Sequence, residues 1–481
     1  MRAAAESRAQ PSAPSRAGTG NKTKPSRTAR RTQDDDRAGR CQDRDPDRGG
    51  PAVSEPAITR PEAPADSPAG RPAAPGDFWK LWAGQSISLL GDSFMLVALP
   101  LFAVSTLHLS AAQAALTPFA LNAPFLLLSL PAGALIDRRR RRTVLLACNA
   151  VQAAVFGSLV FIAWLGQLSF ALLMILLLIS GCALVFFQVA YTTYLPSLVS
   201  DPDELHRGNG RLYLSEAASR TLGPVGAGPL VSLLGPLVTI AVNAGSFLVS
   251  LAAVASIRHR EPKPQPAPVK RGSMLREIRE GLSFVLRHPW LEPVLFAGAV
   301  YTFFLSMLES TLVLYLHYDW GMSTGEIGLV LGLAGLGYPV GSVLSKRMMD
   351  RFGTSRALII SLVVNILGCM AMPAFGAIGW TAGLITGGIM QAFGDSVFGP
   401  ISLTLRQTVT PSGLLGRVNS VQRFLLWGMV PLGSLGASAL ISLDGLSTAL
   451  WTGGVGTALC LPILTRRGVR RGWHTPMEKP A

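Results

Sequence analysis

The chain has 481 residues, of which 49% are hydrophobic and only 15% charged, with a formal net charge of +15. A soluble domain carries about 25% charged residues, so this balance excludes an ordinary globular protein and points to lipid as the main solvent. A nucleic-acid partner is not expected either, because Lys and Arg stand between apolar runs rather than together on one polar domain.

Residues 1–77 are rich in Ala, Pro, Ser, Arg and Asp and nearly devoid of large apolar residues, so they are expected to form a disordered cytoplasmic tail. No apolar core precedes a cleavage site there, and the Asn21-Lys22-Thr23 sequon is expected to be fortuitous. From Phe78 onward, apolar runs of about 20 residues, enough to cross roughly 30 Å of hydrocarbon, alternate with short polar punctuation. They predict six helices near Lys80–Leu107, Ala112–Ile136, Thr143–Leu165, Leu168–Tyr194, Leu212–Leu234 and Leu237–Ile257. Six more follow near Leu291–Leu316, Gly325–Leu344, Leu358–Ile378, Trp380–Leu405, Val418–Leu443 and Leu446–Leu464. The tenth is the weakest, being Gly-rich and interrupted by Gln391 and Asp395.

Charge gives an independent test of this register, since cytoplasmic loops retain Lys and Arg. The connections after helices 2, 4, 6, 8 and 10 carry Arg138–Arg142, Arg207 with Arg211, the cluster from Arg258 to Arg287, Lys346 to Arg356, and Arg406 with Arg417. The intervening connections, such as His108–Ala111, His317–Thr324 and Asp444–Gly445, have none. Both termini are therefore expected inside, including a basic tail over 466–481. The linker 258–290 divides the chain into six-helix sets at 78–257 and 291–465. Within it, Ser273–Leu286 alternates apolar and charged residues at helical spacing, as a surface amphipathic helix would.

The two sets share a pattern. Pro131 and Gly133 recur as Pro339 and Gly341, 208 positions later. Arg207 and Asn209 recur as Arg417 and Asn419, and Pro224 and Gly226 as Pro431 and Gly433. The expected fold is an all-α membrane protein of twelve transmembrane helices in two pseudo-symmetric six-helix bundles, with a site between them at mid-membrane depth.

The stretch Gly133-Ala134-Leu135-Ile136-Asp137-Arg138 with Arg139–Arg142 resembles the loop after the second helix in the major facilitator superfamily, in particular its drug:proton antiporter branch with the macrolide exporters. Leu81–Gln85 with Gly91-Asp92, Leu195–Val199, Arg406-Gln407, Pro411 and Gly416–Asn419 extend the likeness over 78 to about 467. The resemblance implies conformational gating by Gly133, Asp137, Arg138 and Arg142, with Asp137 meeting the start of the eleventh helix near Arg417. It also implies an exporter motif in Gly223, Pro224 and Gly226. These residues have plainer readings too, as a topology anchor and as a packing face, with Gly133 expected to allow close helix approach.

Ionisable residues at membrane depth cost at least a few kcal/mol and are functional candidates for that reason. Asp92, about halfway along the first helix, is the first choice for a proton-coupling carboxylate, against a structural role in a helix contact. Glu216 and Arg220 have the i,i+4 order that favours a pair and either neutralise each other or meet substrate or protons. Glu309 and Asp395 are further pathway candidates, while Arg423 is expected to snorkel. Asn243 and the Cys148–Gln152 stretch stand where related exporters often carry charges, which thins the expected network.

The leading expectation is an inner-membrane secondary transporter exporting a small amphiphilic molecule in exchange for protons, as a monomer. A nutrient symporter and a non-transporting sensor or scaffold are the alternatives. No Walker loop, clustered His or paired cysteine spacing occurs, so no enzyme activity, cofactor or metal is expected.

Overall fold

The computed structural model describes residues 76–136, 139–198, 202–259, 273–411 and 414–465. The expected tails up to 75 and from 466, Asp137, Arg138 and the linker portion 260–272 lie outside the described residues. Asp77 corrects the expected tail boundary. It begins α1 (Asp77–Ser105), is fully buried, and accepts the backbone N–H groups of Arg258 at 3.3 Å and His259 at 3.0 Å. A carboxylate holding two backbone donors is part of the fold.

The second crossing is α2 (Ala111–Ala114) followed by α3 (Thr117–Ile136), and α4 (Arg141–Trp164) and α5 (Phe170–Leu198) come next. The long α6 (Pro202–Ala255) is interrupted at Gly235, whose φ of 83° suits glycine, with Pro236 starting the second segment. Its first segment starts at Pro202 rather than near Leu212, so Leu205–Gly208 is helical where a loop was expected. Between the two sets stands α7 (Ser273–Arg287). The second set comprises α8 (Leu291–Tyr318), α9 (Thr324–Ala334), α10 (Gly337–Phe352), α11 (Thr354–Ala377) and α12 (Thr381–Val409). It continues through α13 (Leu415–Trp427), α14 (Met429–Asp444) and α15 (Leu446–Gly456), and a short 3-10 turn leads to α16 (Cys460–Leu464).

Among the described residues, ten stretches are long and apolar enough to cross a membrane. The difference from twelve has two physical sources. Gly210–Ala255 forms one stretch although Gly235 divides it, and α12 is diluted by Gly, Thr, Gln391 and Asp395. Leu127 is 78% exposed and Leu233 81%, which suits lipid contact and would be a liability in water.

In the first set α1 and α4 pack on α6, and α3 on α5; in the second α12 packs on α10 and α11, and α8 on α14 and α15. The sets meet where α6 crosses α9 and where α3 meets α13 and α14. At the end rich in Arg, Arg142 donates to the Val254 carbonyl at 3.3 Å and the Ala255 carbonyl at 2.6 Å, closing the C-terminal end of α6.

The internal repeat appears in the backbone at the opposite end. Ser110 caps α2 in a capping box with Gln113, and Ser323 caps α9 with Glu326 in the same way, 213 positions later. Gly166 and Gly379 both turn with φ of 70°, and Gly235 and Gly445 with φ of 83° and 90°. His108, at φ 51°, occupies the turn that Gly321, at φ 61°, makes in the second set.

Candidate functional site

Midway along the first segment of α6, Glu216 and Arg220 project one turn apart, with Arg220 Nη2 donating to Glu216 Oε1 at 3.4 Å. Their side chains remain 47% and 38% accessible at this depth, so they line an open space rather than a sealed helix contact. The Arg220 guanidinium also lies over the Tyr338 ring, 5.3 Å from its centroid. Glu309 of α8 and Asp395 of α12 act electrostatically on the same guanidinium. Four sequence candidates thus come together, one cation and three carboxylates, with the cation from the first set and two carboxylates from the second. Two of them, Arg220 and Glu309, line a cavity of about 140 Å³ between the sets, together with Pro224, Tyr338, Gln391 and several Leu and Met side chains.

Asp92 is not among them. It sits half-buried on α1 and meets Asn243 of α6. The contact exists because Gly91 has no side chain: a Cβ there would lie 2.5 Å from both Asn243 Oδ1 and Ser246 Oγ. The asparagine that departs from the family pattern is therefore the neighbour of the first-choice carboxylate. On α4, Asn149 is 1% exposed, and neither polar atom of its side chain has a hydrogen-bond partner among the described residues.

The Gly-Pro stretch of α6 supplies a smooth face. Gly223 backs onto Ser93 and Gly226 onto Phe94, both of α1, while Gly228 meets α9. A Cβ on Gly328 of α9 would stand 2.5 Å from the Pro224 carbonyl oxygen and 2.6 Å from Gly228 Cα. At mid-depth Thr221 Oγ1 donates to the Gly335 carbonyl at 2.7 Å. Across the other seam the Phe125 and Trp427 rings stack with centroids 5.4 Å apart.

Gly133 does not show the close approach expected of it among the described residues, where a Cβ there would meet nothing within 4 Å. Arg417 pairs with Glu280 of α7, and its expected partner Asp137 lies outside the described residues. Two contributors escaped the sequence reading. Tyr338 carries no charge and stands at the start of α10, midway along the apolar crossing Thr324–Phe352, although Gly335 and Gly337 beside it signalled a close crossing. Gly328, Gly332 and Gly335 have small-residue spacing that was legible, but its partner on α6 was not.

Residues 69–477 match the profile of the transmembrane secretion effector family. The chain belongs to this family of major facilitator transporters. Among its relatives is the multidrug efflux pump Tap of Mycolicibacterium fortuitum, 27% identical over 381 residues that cover 78% of this chain and 90% of the relative. The enterobactin exporter EntS of Citrobacter koseri is 26% identical over 294 residues, covering 60% of this chain and 67% of the exporter. In three dimensions the chain resembles a point mutant of the nucleoside transporter NupG, with a TM-score of 0.66 at 13% identity over 81% of this chain and 98% of NupG. A bacterial homologue of the iron transporter ferroportin in its inward-facing state gives 0.63 at 19% identity over 82% and 98%. These structural likenesses establish the major facilitator fold.

Proposed function

We propose that this transporter exports a small amphiphilic molecule by rocking its two halves about the Arg220 cluster, in exchange for protons. The observation that carries this reading is the division of charge across the seam: Arg220 belongs to the first half, and Glu309, Tyr338 and Asp395 belong to the second. Any rocking motion changes the distance between that cation and those carboxylates. A carboxylate left in a low-dielectric site without its cation can accept a proton more readily than remain charged, which couples the motion to protons. The apolar lining of the cavity suits the body of an amphiphile, and the relatives Tap and EntS are exporters by name.

Asp92 serves in this scheme as a second proton site, reached from the first half alone. The Gly223–Gly228 face against Gly328 acts as the pivot, and Arg142 and Arg417 hold the Arg-rich end. In this reading that end and both termini lie on the cytoplasmic side of the inner membrane, and glycine packing closes the opposite side. The working unit is a monomer that binds its small-molecule substrate and protons within the bilayer.

The test uses the full chain reconstituted in liposomes with an internal pH dye and a panel of fluorescent amphiphiles of either charge. Substrate-dependent proton movement is expected, and it should be lost in Arg220→Gln. In cells, expression should lower accumulation of the same compound, with a protonophore restoring it. Undiminished exchange in Arg220→Gln removes the cluster from the mechanism, whereas protonophore-sensitive uptake would favour the symport reading.

A further inference from the structure

The amphipathic helix α7 takes no part in the site described above, yet it carries a charged groove of its own. The groove, about 570 Å³, runs along α7 and the start of the neighbouring helices and is lined by Arg276, Arg279, Arg287, Ser283, Phe284 and Leu414. Glu280 also faces it, but this carboxylate is engaged by Arg417 and, at 3.6 Å, by Arg276. Arg279 and Arg287 form no ion pair among the described residues and are exposed. Burial pushes the adjoining His288 imidazole below its ordinary value, and its Nδ1 accepts the Trp290 N–H at 3.3 Å. The positive charge of the groove therefore rests on the arginines.

Two further features locate the groove relative to lipid. Arg287 lies four residues before Leu291, where a membrane-crossing helix begins, so the groove sits at headgroup depth whichever way the protein is oriented. Leu282 and Leu286, one turn apart on α7, are 37% and 47% exposed, an arrangement that costs free energy in water and gains it in acyl chains. The opposite side of α7 is fixed to the protein, with Gly281 packed against Arg417 and Val285 fully buried. From 258 to 290 the sequence holds eight Lys or Arg against three Glu, so the surrounding field is positive as well.

We propose that this groove is a binding site for an anionic phospholipid, whose headgroup phosphate is held by Arg279 and Arg287 while its acyl chains cover Leu282 and Leu286. Guanidinium groups suit a phosphate because their donors form a fork that matches its oxygens.

The test is native mass spectrometry of the purified full chain titrated with phosphatidylglycerol or with phosphatidylcholine of the same acyl chains. The wild type should bind phosphatidylglycerol at least several-fold more tightly. Arg279→Gln/Arg287→Gln should lose that preference, as should Ser283→Glu, which adds a negative charge to the groove while keeping both arginines. Lys346→Gln/Arg347→Gln, an equal charge change elsewhere at the Arg-rich end, should keep it. Retention of the preference in both groove variants overturns the site. So does an equal loss in the Lys346/Arg347 control, which would mean a general charge effect. Displacement of the lipid by millimolar inorganic phosphate would overturn the lipid assignment in favour of a free anion.

Discussion

The two halves repeat each other at their turns and differ in their polar interiors. His108 and Gly321 reverse the chain at equivalent places, Ser110 and Ser323 begin the following helix with the same capping box, and Gly235 and Gly445 make matching breaks with positive φ. Inside the second half, Asn365 Nδ2 donates to the Tyr301 hydroxyl at 2.8 Å and to the Gln391 carbonyl at 3.0 Å, closing a polar network. Inside the first half, neither polar atom of the Asn149 side chain finds a partner among the described residues, and Asp92 meets Asn243 of α6. Turn geometry is a requirement of the backbone and survives duplication, whereas polar groups are free to diverge once the halves face each other. The seam shows the result, with a Glu216–Arg220 pair on one side and the Glu309 and Asp395 carboxylates on the other.

The largest effect that would break this comparison is expected at the seam. Arg220→Gln leaves three carboxylates without their shared cation and should lower substrate flux in liposomes about tenfold or more, equivalent to at least about 1.4 kcal/mol. A flux unchanged in that variant would show that the asymmetry between the halves is structural. Asp92→Asn comes next, testing whether the first half carries a proton site of its own. It should severely reduce substrate-dependent proton release, and normal transport with unchanged pH dependence would remove Asp92 from the coupling path.

A smaller effect separates the two glycine readings. Gly328→Leu forces a side chain into the Pro224 carbonyl and Gly228 and should cost about 1–3 kcal/mol, read as a lower thermal midpoint. Gly133→Ala, which meets open space among the described residues, should leave that midpoint unchanged. The smallest change is expected at the turn. His108→Gly should raise stability by up to about 1 kcal/mol by removing a side chain from positive φ, and Gly321→Val should lower it. Equal responses at the two turns would mean that His108 gains compensating contacts that glycine lacks.

Much of the fold was legible because lipid imposes a simple grammar. Apolar runs, arginine-bearing loops and the Pro131/Pro339 echo follow from hydrocarbon thickness, loop charge and duplication, each of which can be read along one dimension. The tenth helix was correctly the weakest reading, since the Gly, Gln391 and Asp395 that dilute α12 are what bring a polar surface to the seam. The start of α6 was misplaced because polar Leu205–Gly208 resembles a loop, although a helix can continue past the lipid boundary when its backbone bonds are internal.

For the candidate site, the residue types were visible and their grouping was not. Sequence alone identified Asp92, Glu216, Arg220, Glu309 and Asp395 as costly in hydrocarbon, because the solvation penalty of a charge depends on its immediate surroundings along an apolar run. Only the tertiary structure separated Asp92 from the other four and joined Arg220 to Tyr338, Glu309 and Asp395 across the seam. Which charge faces which is set by the crossing of α6 with α9 and by the rotation of each helix about its axis. Those quantities arise from packing between segments more than a hundred residues apart, and no local pattern records them.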